Sequence, residues 1–186
     1  MSKPAPGTVV TGVRGSTILT SSGRYFDLIA PTADMVVPID IARGLANTCR
    51  FAGHTREFYS VAQHCILVSS ILPPRLALAG LLHDAAEAYV GDVVSPLKQH
   101  LPNFKEIEHR IERVIAKKFG LTFPWPSEVK HADFRALRFE REQLMQARGD
   151  WNLAEYEPID GRLIPLGPKE AATAWSYRFM ELRGSI

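Results

Sequence analysis

Four ionisable residues crowd the end of one apolar run. Residues 76–82, Leu-Ala-Leu-Ala-Gly-Leu-Leu, carry no polar side chain. His83 and Asp84 follow at once, then Glu87, then Asp92 after Gly91. A segment that is apolar all round belongs in a packed interior, and residues three and four apart share a helix face. The spacing predicts a buried helix over 75–90, with Glu87 lying over His83 and Asp84. Polar groups buried without partners cost about 2–7 kcal/mol each. A metal ion satisfies a neutral imidazole and an adjacent carboxylate together.

Two further residues suit the same ion. His64 sits among apolar neighbours in Ser60-Val-Ala-Gln-His-Cys-Ile-Leu-Val, one turn after a good N-cap. Asp133 sits inside the amphipathic stretch Val129-Lys-His-Ala-Asp-Phe-Arg-Ala-Leu, and Asp is a poor helix-interior residue that needs a reason there. Taken singly, each has a plainer explanation. A lone buried His is more often a hydrogen-bonded core residue, a lone helix Asp is more often solvated or ion-paired, and His-Asp dipeptides recur by chance. The ordered set carries the weight: His, then His-Asp after an apolar run, then Asp in a later helix. Two imidazoles and two carboxylates make a mixed N/O site for one divalent transition metal, with positions left for water and a phosphate oxygen. His54 follows Gly53 close to Arg50 and is a candidate nucleotide contact, weighed evenly against a surface role. His100, His109 and His131 are expected at the surface.

Helices must position these groups. Pro38 and Asp40 suit the first turn of a helix that Gly53 would end. A second runs from Ser60 to Leu72, where Pro73-Pro74 stops it. After the organising helix, Ser95-Pro96 begins a short turn or helix carrying Lys98. Asn103 is placed as the cap of a helix over 104–119, striped by Phe104, Ile107, Ile111, Val114, Ile115 and Phe119 and closed by Gly120. Ser127 is placed as the cap of a long helix to about Arg148. Residues 149–168 read as an irregular loop, and a last helix over 168–182 offers Trp175 to the core; Trp125 is likewise expected to pack rather than to bind substrate. Before all this, 8–28 looks like a small antiparallel sheet, with segments at 8–13, 16–20 and 24–28 and a turn at Arg14-Gly15. The class is mainly α.

Composition narrows the function. The chain has 186 residues, enough for one domain with a real core. Its net charge of +2 is too small to argue for polymeric nucleic acid or a membrane surface. Two cysteines, Cys49 and Cys65, form no CxxC pair and fit a reducing cytoplasm. The start, Met-Ser-Lys-Pro-Ala-Pro-Gly, lacks the apolar region of a signal peptide, and no apolar run of about 18 residues predicts a membrane span.

Over residues 38–145 the chain resembles the HD-domain phosphohydrolases. It is most similar to their small 5′-deoxynucleotidase branch and to phage and prophage members that include dATP triphosphohydrolases. The resemblance lies in Cys49-Arg-Phe-Ala-Gly-His-Thr, Tyr59-Ser-Val-Ala-Gln-His, Leu82-His-Asp-Ala-Ala-Glu-Ala-Tyr-Val-Gly-Asp, Ser95-Pro-Leu-Lys and His131-Ala-Asp. It implies a single HD-type helical bundle over 1–186 with the β segment as an appendage. It implies that His64, His83, Asp84 and Asp133 bind the metal (Co, Mn, Zn or Fe), with a second divalent ion such as Mg on substrate phosphates. It implies that Glu87 and Asp92 are catalytic, and that Arg50 and Lys98 bind phosphate. Deoxynucleotidase members carry a Trp against the sugar directly after the Arg; Phe51 stands there in this chain.

The expected activity is metal-dependent hydrolysis of a nucleotide, a 2′-deoxynucleoside 5′-monophosphate or a triphosphate such as dATP. The alternatives on the same scaffold are a phosphodiesterase or alarmone hydrolase, and a non-catalytic nucleotide-binding module with a structural metal. The last would lack a ligand or the Glu after His-Asp, and all are present. A homo-oligomer, dimer or higher, is expected. The N-terminal sheet and the segment after Arg148 lie outside the shared motifs, open to oligomer contacts or to substrate closure.

Overall fold

The structure is a computed structural model and describes residues 15–146 and 148–184. β1 (Thr17–Leu19) pairs antiparallel with β2 (Tyr25–Asp27), Ile18 opposite Phe26. These are the second and third expected β segments; the first lies outside the described residues. The link between the strands is fixed by one carboxylate. Asp40 is buried, and its two oxygens accept from the Thr20, Ser21 and Ser22 hydroxyls and the Ser22 amide at 2.7–2.8 Å. Phe26 stacks on Tyr89 with ring centroids 3.7 Å apart. The hairpin is thereby docked on the helical body.

Helices make up the rest. α1 (Pro38–Asn47) begins with proline in its first turn, where the missing amide costs nothing. It does not continue to Gly53. Thr48 turns extended, its hydroxyl bonding back to the Gly44 carbonyl at 2.9 Å. Residues 48–50 then pair with 59–61: the Arg50 amide reaches the Tyr59 carbonyl at 2.9 Å and the Val61 amide reaches Thr48 at 3.0 Å. Between these arms Arg50–Gly53 forms a short 3-10 turn, with Phe51 and Ala52 at φ of 54° and 51°.

α2 (Val61–Ile71) starts as expected, with Ser60 Oγ accepting from the Gln63 amide. The organising helix divides in two, α3 (Pro74–Leu82) and α4 (Glu87–Val90). Between them the amides of Ala85, Glu87 and Ala88 bond three residues back, to Leu82, Asp84 and Ala85. Three-residue bonds tighten the turn and rotate the helix beyond it. α5 (Ser95–Lys98) carries Lys98. α6 (Pro102–Phe119) starts two residues before the expected Phe104, with Asn103 already inside it, and ends on Gly120 in the left-handed conformation. α7 (Ser127–Leu144) is shorter than expected, and Ser127 is its first residue rather than its cap. The Leu144 carbonyl bonds to the Arg56 amide at 3.0 Å, and Met145 runs extended. Residues 149–167 are irregular, and α8 (Pro168–Gly184) lies against α1 and α2.

The architecture is mainly α with one small sheet, the HD-type helical arrangement. Trp175 of α8 is fully buried with Ile41, Leu45, Leu81, Leu82, Ile111 and Ile115. A second small cluster, Val68 with Ala132 and Ala136, joins α2 to α7. Among the described residues no helix is long and apolar enough to cross a membrane.

Candidate active site

Small residues let α7 approach α2, and that approach builds the site. Ala132 and Ala136 pack on Val68. Asp133 and Glu140, two turns apart on α7, then reach opposite edges of the His64 ring. His64 Nε2 lies 3.1 Å from Asp133 Oδ1, and its Nδ1 lies 2.7 Å from Glu140 Oε1. Glu140 has no exposed surface. It also accepts from the Tyr59 hydroxyl at 2.9 Å and from Arg50 Nη2 at 3.1 Å.

His83 closes the other side. It caps α3, and its Nδ1 donates to the Gly80 carbonyl at 2.8 Å. Each imidazole thus has its Nδ1 hydrogen committed outward, which turns Nε2 inward. Both Nε2 atoms are buried and without a hydrogen bond. Asp84 Oδ2 lies 3.5 Å from the His64 Nε2 and 3.2 Å from the His83 Nε2. Asp133 Oδ1 lies 3.9 Å from His83 Nε2. Two orphaned imidazole nitrogens facing two carboxylates fit a divalent cation of the first transition row. His64, His83 and Asp133 have ligand atoms within 4.8 Å of one another; so do Cys65, His83 and Asp84. Burial pushes the Cys65 thiol up to about 11, and a protonated thiol is a poor ligand.

The electrostatics favour positive charge at this point. Burial pushes Asp84 up, but the His83 and His64 imidazoles more than offset it and hold it near 2. Asp133 is likewise held well below the usual range, its burial outweighed by its interaction with the same two rings. Burial and Arg50 oppose protonation of His64, yet Glu140 and Asp133 raise it; burial opposes protonation of His83, yet Asp84 and Asp133 raise it well above the ordinary value.

Arg50 stands at the edge of the cluster, its Nη1 3.8 Å from Asp84 Oδ2. The left-handed turn after it carries Phe51 beneath its guanidinium, 5.3 Å from the ring centre. Arg50, Phe51, His54 and Asp92 line one cavity of about 690 Å³, together with Ser95, Leu137, Met145 and Trp151. A groove of similar size, about 710 Å³, runs between α1 and α8, but no histidine or carboxylate lines it.

Glu87 follows the tightened turn after His83 and reaches Lys98 of α5. Its Oε1 lies 3.5 Å from Lys98 Nζ, which itself bonds Glu108 Oε1 at 2.7 Å. Lys98 is held between these two carboxylates rather than in the cavity lining. Burial, with the nearby Asp84 and Asp92 charges, pushes the Glu87 carboxyl well above its ordinary range; burial also raises Asp92, against the pull of Arg50. His100, His109 and His131 are exposed, as expected; Trp175 is buried and Trp125 half-buried.

Sequence reasoning did not single out Glu140, Glu108, Cys65 or Trp151. Glu140 could have been found: it lies seven residues after Asp133, on the same face of an amphipathic helix. Cys65 directly follows His64 in the chain, whereas Glu108 and Trp151 become neighbours of the site only through the tertiary fold.

The model of the family described as 5′-deoxynucleotidase YfbR-like matches residues 53–148. That span holds His54, His64, His83, Asp84, Glu87, Asp92, Lys98, Asp133 and Glu140; Arg50 and Phe51 precede it and Trp151 follows it. The Escherichia coli K12 protein YfdR is 42% identical over 170 residues, covering 90% of this chain and 96% of that protein. A Rhodobacter capsulatus protein is 32% identical over 185 residues, covering 89% of this chain and 94% of its own length. A Yersinia pestis protein named 5′-deoxynucleotidase is 40% identical over 63 residues, 34% of this chain and 30% of that protein. With just over half its length matched by the family and a near full-length relative, the chain belongs to the YfbR-like 5′-deoxynucleotidase family.

Proposed function

We propose that this chain is a metal-dependent phosphohydrolase that releases phosphate from 2′-deoxynucleotides. One observation carries the reading. Two buried imidazole nitrogens and two carboxylates converge on one point, beside a cavity that begins with an arginine and an aromatic ring. His64, His83, Asp84 and Asp133 would hold the metal (Co, Mn, Zn or Fe). When bound, it supplies Lewis acidity at a phosphoryl oxygen and a water of lowered pKa.

The chain's own groups do the rest. Arg50 binds the phosphate with a charge-assisted fork and neutralises charge as it develops. Glu140 orients both Arg50 and His64, so the phosphate-binding and metal-binding groups share one anchor. Glu87, whose carboxyl is pushed up by burial and by the Asp84 and Asp92 charges, holds a proton for the leaving 5′-oxygen, and Asp92 orients the attacking water. Lys98 fixes Glu87 against α6 through Glu108. Phe51 supplies an apolar wall where a 2′-hydroxyl would find no hydrogen-bond partner.

The test is phosphate release from deoxy- and ribonucleoside mono- and triphosphates by purified protein, with each candidate metal and with Mg. Release from deoxynucleotides above ribonucleotides supports the reading. Release from neither class with any metal overturns it.

A further inference from the structure

The loop after α7 brings an aromatic side chain to the cavity that the family match does not include. Trp151 lines that cavity, yet 45% of its surface is exposed. A tryptophan that only sealed the fold would be buried. Its place is held from three sides. Arg141 of α7 donates to the Gly149 carbonyl and lays its guanidinium 5.6 Å from the indole centre. Asp150 accepts from the Asn152 amide with its side chain at 3.1 Å, and from the Leu153 amide with its carbonyl at 3.1 Å. Leu153 is buried and pins the far end of the turn.

Trp151 and Asn152 both take left-handed backbone, with φ of 57° and 59°. Two consecutive residues other than glycine in that region are held there at a cost, by the contacts around them. What the conformation achieves is to aim the indole at the cavity. Its ring centre lies 6.3 Å from that of Phe51, with the planes inclined by 55°. The two rings form an angled apolar corner, and the Arg50 guanidinium lies beyond Phe51. A ligand with phosphate at Arg50 and sugar at Phe51 reaches Trp151 with whatever it carries next. A nucleoside carries a planar base there.

We infer that Trp151 is the base-stacking surface of the cavity, a specificity residue that recognises the nucleobase of the substrate while Phe51 faces the sugar. The inference rests on the nucleotide phosphohydrolase reading above. Stacking on an indole is tolerant of base identity, because every base has a π face. The site therefore separates nucleotides from bare sugar phosphates more strongly than it separates one base from another.

The experiment compares a deoxynucleoside 5′-monophosphate with 2-deoxyribose 5-phosphate, on the wild type, Trp151→Phe and Trp151→Ala. Trp151→Ala is expected to lose about 10-fold in kcat/KM on the nucleotide, mainly through KM, at the lower end of what stacking supplies because the ring is half exposed. The sugar phosphate should be unaffected, and Trp151→Phe should fall between. An equal loss on both substrates, or none on either, overturns the inference. In parallel, a deoxynucleoside is titrated against intrinsic fluorescence. Quenching in the wild type that disappears in Trp151→Phe is expected; quenching that persists would come from Trp125 or Trp175 and overturns it. If the wild type hydrolyses neither substrate, the reaction class falls, and the quenching alone decides the role of Trp151.

Discussion

Glu140 answers three donors, from His64, Tyr59 and Arg50, without any solvent contact. Replacing it by Gln keeps the shape and removes the charge that fixes the His64 tautomer. Partners of this kind typically contribute 10- to 100-fold to metal affinity, so Glu140→Gln should weaken binding by about that factor in a metal titration; unchanged affinity would make Glu140 a packing residue. Glu87 should behave differently, because its Oε1 pairs with Lys98 and it belongs to neither cluster of candidate ligand atoms. Glu87→Gln should keep the metal and the fold and lower kcat by about 10²–10⁴-fold, as for other general acid–base groups. Near-normal turnover would remove it from the chemistry. Phe51→Ala should flatten the preference for deoxy- over ribonucleotides and Phe51→Trp should sharpen it; leaving one hydroxyl unpaired costs about 1–3 kcal/mol, roughly 5- to 150-fold in kcat/KM. Competing dATP against ATP, and dAMP against AMP, reads this out. His64, His83, Asp84 and Asp133 were legible in the sequence because each is a polar residue that a helix interior would otherwise avoid. Glu140 is marked in the sequence only by its place seven residues after Asp133, since a glutamate is unremarked on any helix; its burial then sets it apart.

At the scale of elements, the apolar run before His83 was legible and its continuation was not. Nothing in Ala85-Ala86 resists an α-helix, so pattern alone extends the helix to Val90. The break arises from three-residue hydrogen bonding in the tertiary setting, and beyond it Glu87 Oε1 pairs with Lys98. In the same way, Pro38 announced the start of α1, but its end at Asn47 depends on 48–50 pairing with 59–61, which no local signal reveals. The position of α4 depends on α1 at one point. A Cβ on Gly44 would lie 2.7 Å from the Ala88 carbonyl oxygen. Alanine in a helix interior gains about 1 kcal/mol over glycine, but overpacking against backbone costs about 1–3 kcal/mol, and here the backbone cannot rotate away. Gly44→Ala should therefore lower Tm by up to about 8 °C in a thermal melt. Turnover should fall with it, because Ala88 is next to Glu87. A raised Tm would mean that α4 shifts freely.

For the whole molecule, one carboxyl outside the site sets a pH dependence. Burial pushes Glu112 up to about 7 from an ordinary 4.5, although the Trp125 indole donates to it at 3.2 Å. The folded state therefore holds this proton more tightly than the unfolded chain. Its contribution is most favourable below about 4.5 and declines as pH rises toward 7, then levels off. At about 1.4 kcal/mol per pH unit, the decline is about 3 kcal/mol. Glu112→Gln accepts the same Trp125 hydrogen bond without the charge. It should match the wild type in denaturant unfolding near pH 4 and exceed it near pH 8; equal stability at both would place Glu112 in water. The helical class and the small sheet were legible from periodicity and proline placement, whereas the meeting of α2, α3 and α7 was not, because small residues such as Ala132 and Ala136 carry no sequence signature of the partner they approach. That meeting has a consequence for how the protein holds itself together. The donor atoms come from residues as distant in the chain as His64 and Asp133, so they converge only when three helices have docked. An ion seated among them acts as a clasp across the chain and ignores the unfolded state. By mass action it would add about 2.7 kcal/mol at about one hundred times its dissociation constant. Melting curves recorded across a series of divalent ions would then rank the metals by affinity, with no substrate in the tube.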